Sequence, residues 1–110
     1  MAILLKNSSR YSGKVGKTDW WDWTAYIECT TPDSLDDIDF VEYELHPSFR
    51  SPIQRVRRQE GGFPLTTRGW GVFNLIARVV FKDESRSPLM LEHLLRFELP
   101  PDQTTAPTRN

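Results

Sequence analysis

Apolar and polar residues alternate along several stretches of this chain, and nowhere do they recur at the spacing of a long amphipathic helix. The clearest run follows a glycine-flanked tryptophan: Phe73, Leu75, Ala77, Val79 and Phe81 share one side, and Asn74, Ile76, Arg78 and Val80 the other. A period of two predicts a β-strand with one face toward a core. Trp21 to Cys29 repeats the pattern, with Trp21, Trp23, Ala25, Ile27 and Cys29 on one side. Ile38 to Leu45 does so with Val41, Tyr43 and Leu45 inward and Glu42 and Glu44 outward. A last strand is expected over Leu89 to Leu99, where Leu89, Leu91, Leu95, Phe97 and Leu99 share a parity, and Pro100-Pro101 stops it. Ala2 to Lys6 and Ile53 to Arg58 read as shorter strands.

The segments between these runs carry turn signals. Asn7 to Gly16 is polar, has Gly13 and Gly16, and reads as a solvated loop with a weakly basic tract of Arg10, Lys14 and Lys17. Thr30 to Asp37 is a turn with room for a single helical turn. In His46-Pro47-Ser48-Phe49-Arg50-Ser51-Pro52, two prolines bar a regular ladder. Gly61-Gly62-Phe63-Pro64-Leu65 breaks the fourth run and returns the chain to Arg68-Gly69-Trp70-Gly71-Val72-Phe73. Five to seven short strands with such punctuation predict an all-β, immunoglobulin-like antiparallel β-sandwich. An α/β fold would need a crossover helix of about a dozen residues, and no segment supplies it. Residues 1–101 are expected to form the domain, and the threonine-rich, polar residues 102–110 a tail or the start of a linker to a larger protein.

Composition narrows the function classes. Fourteen basic against fifteen acidic residues leave a net charge of -1, so no nucleic acid or anionic membrane partner is called for. No apolar run approaches the ~18 residues of a membrane span, and the apolar start is too short for a signal peptide. The expectation is an intracellular, soluble protein, cytoplasmic in a prokaryote and nuclear in a eukaryotic chromatin reader. One cysteine, Cys29, excludes an intramolecular disulfide and reads as a small buried thiol. With His46 and His93 it falls short of a structural zinc site, and no cofactor is implied. Ser48 beside His46 is the one pair that suggests a nucleophile and a base, but no third member and no elbow motif accompany it. Asp33, Asp36, Asp37 and Asp39 read as a solvated acidic turn. No enzymatic activity is expected. Four tryptophans are the oddity of the composition, and Trp70 between two glycines is how a surface aromatic is presented.

Two segments together resemble a known family. His46-Pro47-Ser48-Phe49 with Pro52, followed by Gly69-Trp70-Gly71-Val72-Phe73 and an alternating strand, is similar to the YEATS domain family, and the likeness runs from Trp21-Asp22-Trp23 through the last strand. It implies an immunoglobulin-like sandwich whose tip loops form an aromatic slot. In histone-reading members the slot accepts acetylated or crotonylated lysine, without enzymatic activity. The family also has prokaryotic relatives whose ligands need not be histones. Carried over residue by residue, the likeness places the family's loop histidine and serine on His46 and Ser48, with the serine hydroxyl as donor or acceptor for the acyl amide, Phe49 in the same loop, Trp70 as the slot aromatic with the Gly71 backbone beside the amide, and Phe73 as the following aromatic. Trp23 matches the tryptophan that begins an early strand and reads as core rather than slot. For the opposing wall, Trp20 and Trp21 stand as alternatives. The partner so implied is an acylated-lysine peptide or protein. Two other readings remain open: a structural or protein-interaction sandwich without acyl-lysine binding, and a carbohydrate or small-metabolite binder using stacked tryptophans.

Overall fold

One face of each of two sheets is apolar, and the two faces close on each other. The computed structural model describes residues 3–30 and 34–97. Among the described residues the strands are β1 (Ile3–Val15), β2 (Thr18–Cys29), β3 (Ile38–Glu44), β4 (Ile53–Val56), β5 (Leu65–Gly69), β6 (Asn74–Phe81) and β7 (Leu89–Leu94), with one 3-10 turn at Leu35–Asp37. They form two antiparallel sheets, ordered β1-β2-β5 and β4-β3-β6-β7, which is the β-sandwich expected from the alternation. The core is filled from both sides by the residues of predicted inward parity: Trp23, Ala25 and Ile27 on β2 meet Val41 and Tyr43 on β3 and Leu75, Ala77 and Val79 on β6, all at 1% exposure or less. The single buried hydroxyl among them is satisfied, since Tyr43 donates to the Phe63 carbonyl at 2.7 Å, and burial pushes its pKa upward.

Several expectations are corrected. Asn7 to Gly16 is not a loop: β1 runs to Val15 and pairs with β2 over its length, from Ile3 opposite Cys29 to Val15 opposite Thr18. Beyond Trp21 the two strands leave β5 behind and stand as a ribbon. Neither face of a ribbon meets the core, so no apolar alternation is required, and polar contacts hold it instead. Tyr11 donates to Asp19 at 2.7 Å, and Lys14 lies 3.4 Å from the same carboxylate. Gly16, at φ 65°, and Lys17 make the two-residue turn, and only the first has a positive φ, the requirement of a type II′ hairpin. The strand β5 falls where only a return segment was expected. β4 ends at Val56 rather than Arg58, β6 begins at Asn74 rather than Phe73, and the last ladder ends at Leu94. Cys29 is half-buried against the edge of the core rather than fully enclosed. Thr31-Pro32-Asp33, the end of the last run at Leu99, and the tail 102–110 lie outside the described residues.

Where the edges β1 and β7 approach each other, Asn7 acts as a surrogate peptide unit. Its Oδ1 accepts from the Arg96 N–H at 3.0 Å while its Nδ2 donates to the Arg96 carbonyl at 2.8 Å. These two bonds fix the amide orientation, so His93 must donate to Oδ1 through a protonated Nε2, at 2.8 Å. Burial, and then the charge of Arg96, hold the His93 pKa below its usual value. As pH falls below about 6.5, the unfolded chain takes up a proton that native His93 resists, and stability is lost until the depressed native pKa is passed. Thermal melts between pH 7.5 and pH 5 should therefore show a loss that is smaller in His93→Gln; an equal loss in the variant would remove His93 as its source.

Candidate functional site

Three segments converge at one end of the sandwich. The first is the loop between β3 and β4, pinched at its base where the Leu45 N–H donates to the Pro52 carbonyl at 2.7 Å. At its tip the Phe49 N–H donates to the His46 carbonyl at 3.0 Å, a β-turn with Pro47 in the position where its fixed φ is pre-set. Inside that turn the Ser48 backbone N–H donates to His46 Nδ1 at 3.1 Å, and Ser48 Oγ lies 2.9 Å from the same nitrogen. A backbone N–H can only donate, so Nδ1 is the acceptor and the neutral ring carries its proton on Nε2. The serine hydroxyl hydrogen then also turns to Nδ1, which leaves the Ser48 oxygen with its lone pairs outward as an acceptor.

The second segment is Trp70 to Phe73, between β5 and β6. The Leu95 N–H donates to the Phe73 carbonyl at 3.1 Å and ties the end of this loop to the chain after β7. Phe73 is half-buried, with its ring centroid 6.0 Å from Trp23, 6.0 Å from His46 and 5.7 Å from Phe49. It joins the top of the core to the floor of the loops, so its core parity and its place beside the loop tips are compatible. Trp70 is 62% exposed. Gly69 is where close approach matters: a Cβ there would come within 3.2 Å of Trp23 Nε1 and 3.9 Å of the Phe49 ring, whereas one on Gly71 would meet nothing within 4 Å.

The third segment is the start of β2. Trp20 lines a cleft of about 320 Å³ together with His46, Ser48, Phe49, Arg68, Gly69, Trp70, Gly71, Val72 and Phe73. Its indole Nε1 is buried and has no hydrogen-bond partner among the described residues. Trp21, the alternative, does not line the cleft. It keeps the parity of Trp23, stacks on Phe97 at a centroid distance of 5.0 Å and an interplanar angle of 23°, and meets the edge of Tyr11 at 5.7 Å. Seven of the eight sequence-derived candidates thus surround one cleft, and the eighth is elsewhere. Sequence reasoning missed Arg68, Gly69 and Val72 as cleft residues. Arg68 directly precedes the glycine-flanked tryptophan, and its place beside the loop was the signal available.

Such a cleft suits a flat, neutral polar group on an apolar stem, because aromatic faces contact the stem while a hydroxyl oxygen and backbone groups meet the polar atoms. Among the described residues, no three or more His, Cys, Asp or Glu side chains are grouped so as to hold a metal ion, and no helix is long and apolar enough to cross a membrane.

Comparison with known proteins places this geometry in context. The model of the prokaryotic YEATS domain matches residues 21–94. Transcription initiation factor TFIID subunit 14 of Schizosaccharomyces pombe is 27% identical over 81 residues, covering 70% of this chain and 32% of that protein. The AF-9 homologue of Candida glabrata is 29% identical over 77 residues, covering 68% of this chain and 34% of its own length. The chain therefore spans about a third of the curated relatives it matches. Among solved structures, yeast Yaf9, an AF-9 homologue, superposes with a TM-score of 0.72 at 25% identity, covering 87% of this chain and 70% of that one. The Yaf9 YEATS domain bound to H3K27ac superposes with a TM-score of 0.72 at 24% identity, over 91% and 73% of the two chains. The same domain recognising an H3K122suc peptide gives 0.71 at 24%, over 87% and 72%. At that identity, these last two likenesses speak for the fold alone.

Proposed function

The chain belongs to the YEATS domain family, and from that premise we propose that it is a non-enzymatic binding module whose cleft takes an acylated lysine of a protein partner. The observation that carries this reading is that His46, Ser48, Trp70 and Phe73, separated in sequence, surround one cleft, with Trp20 as a further aromatic from a different element. Acylation removes the lysine charge and leaves a planar amide on an apolar stem. In this reading the stem lies between the aromatic faces, the Ser48 oxygen accepts from the acyl amide N–H, and the backbone around Gly71 donates to the acyl carbonyl. An unmodified ammonium would have to shed its water in an apolar slot without a carboxylate to meet it, and is rejected. In this reading the Ser48–His46 pair serves recognition: the imidazole acceptor already holds the serine N–H and hydroxyl, and among the described residues no group is set to orient it as a base.

The test is calorimetric titration of the chain with peptides differing only at one lysine, acetylated, crotonylated or unmodified. Saturable binding confined to the acylated peptides is expected. Ser48→Ala should weaken it by about tenfold, the order expected when a buried amide N–H loses its acceptor. Equal binding of the unmodified peptide, or none of the acylated ones, would overturn the reading.

A further inference from the structure

On the outer face of the sheet β4-β3-β6-β7, the one turned away from the core, two neighbouring rows differ in how their charges are met. In the row Arg55-Glu42-Arg78-Met90 the register sets Glu42 between two cations, with Arg55 at 3.0 Å and Arg78 at 3.8 Å from its carboxylate. Arg57 likewise meets Asp39 at 3.1 Å, and Arg55 and Arg57 cover the Phe40 ring at 4.3 and 4.8 Å from its centroid. That part of the face is closed on itself. The next row, Ile53-Glu44-Ile76-Glu92, is not. Its two carboxylates are exposed and flank an isoleucine, and among the described residues no cation pairs with either. Around them stand Ile53, 53% exposed, and Met90 and Leu94, each 57% exposed, which lie two residues to either side of Glu92 on the same face of β7. Exposed apolar surface and unmet negative charge thus coincide in one patch, which shares none of the cleft's lining residues.

We propose that this patch docks an amphipathic helix of a protein partner, one that carries two basic residues seven apart with an apolar pair between them. Glu44 and Glu92 sit one strand to either side of Ile76, about 9.5 Å apart at the usual spacing between strands. Residues i and i+7 of a helix share a side about 10.5 Å apart, with i+3 and i+4 between them. On an extended chain, residues on the same side fall about 7 or about 13 Å apart and match the carboxylates less well. Laid across the strands, the helix sets its cations on the two glutamates and its apolar pair on Ile76, while the stems of the basic residues cover Met90, Leu94 and Ile53. A second copy of this chain is a poor occupant, since face to face it brings the same unmet carboxylates and arginines already committed to Glu42 and Asp39. Exposed ion pairs are weak one by one, so the apolar contact supplies most of the affinity and the carboxylates select a basic partner. The inference is independent of what the cleft binds.

The probe is a capped, alanine-based helical peptide with two lysines seven apart and leucines at the third and fourth positions after the first. Its control has the same composition with the lysines five apart, which puts them on different sides of the helix. Titrated into the intact chain, the probe is expected to bind saturably and about fivefold or more tightly than the control, and to lose that advantage as salt is raised. Replacing both carboxylates, Glu44→Gln with Glu92→Gln, should weaken the probe about three- to tenfold and bring it level with the control. Met90→Ala with Leu94→Ala should weaken both peptides by about tenfold, and because these side chains are exposed the melting temperature should barely move. Equal binding of probe and control, binding of neither, or a preference that survives the loss of both carboxylates would overturn the inference. Sedimentation equilibrium of the chain alone completes the test: a dimer that Leu94→Ala dissolves would give the patch to a second copy and overturn it too.

Discussion

Gly62→Ala is expected to cost about 3 to 5 kcal/mol, a large fraction of the stability of a domain this size. The residue lies in the buried return from β4 to β5, at φ 87°, in a run of three consecutive left-handed residues with Gly61 at 84° and Phe63 at 54°. A Cβ there would be driven onto the backbone of Ile27: well inside contact distance of its carbonyl oxygen, 3.2 Å from its nitrogen and 3.3 Å from its carbonyl carbon. Backbone cannot step aside as a side-chain tip can, and this backbone belongs to the central strand of its sheet, with Ile27 itself 1% exposed. The substitution would also strain the bond from the Ile27 N–H to the Gly62 carbonyl, now 2.8 Å. Urea denaturation reads the loss directly, and Gly71→Ala is the control, since its new methyl meets nothing and its φ is not left-handed. A Gly62 variant as stable as the Gly71 variant would refute the close approach.

The same contrast shows how far the chain could be read without coordinates. Strands whose one face meets the core were legible, because burial imposes the alternation that periodicity detects: β2 from Trp23, β3, β6 and β7 all keep their predicted parity. Strands without that constraint were not. The outer half of β1 pairs only with β2, so its sequence is free to be polar. In β5, the inward positions are Leu65, Thr67 and Gly69, and the last of these must be small to make room for Trp23. No apolar rhythm survives there. The glycine need was read at the tryptophan loop, and one of its two glycines, Gly69, has it; the strict backbone requirement sits instead at Gly62.

The candidate site was legible for a different reason. His46, Ser48, Phe49, Trp70 and Phe73 sit in two short segments whose order and spacing are distinctive, and the structure brings both to the same cleft. Trp20 and Trp21 could not be separated from sequence, because adjacent residues of a strand point to opposite faces and either face was open to the cleft. Pairing decides it. Trp21 stays with Trp23 and closes on Phe97, which leaves Trp20 beside Arg68, across the strand from Gly13.

Trp70→Ala should separate binding from folding more cleanly than any other change in the cleft. The indole is 62% exposed, and among the described residues no ring or hydrogen-bond contact of its own secures the core, so the melting temperature should move by no more than the equivalent of about 1 kcal/mol. Phe73→Ala cannot serve, since that ring touches Trp23, His46 and Phe49 and its loss would loosen core and loops together. If an acylated lysine stem lies against Trp70, removing the indole takes away a large rigid apolar wall, and affinity for the acylated peptide should fall about 30-fold or more, as for aromatic anchors in other interfaces. Titration of the acylated peptide into the variant, alongside its thermal melt, gives both quantities from one preparation. A folded variant that binds like the wild type would place the ligand away from Trp70 and return the tryptophan to the role of a docking surface. A folded variant that no longer binds would assign the energy of recognition to the ring that the two glycines hold at the surface.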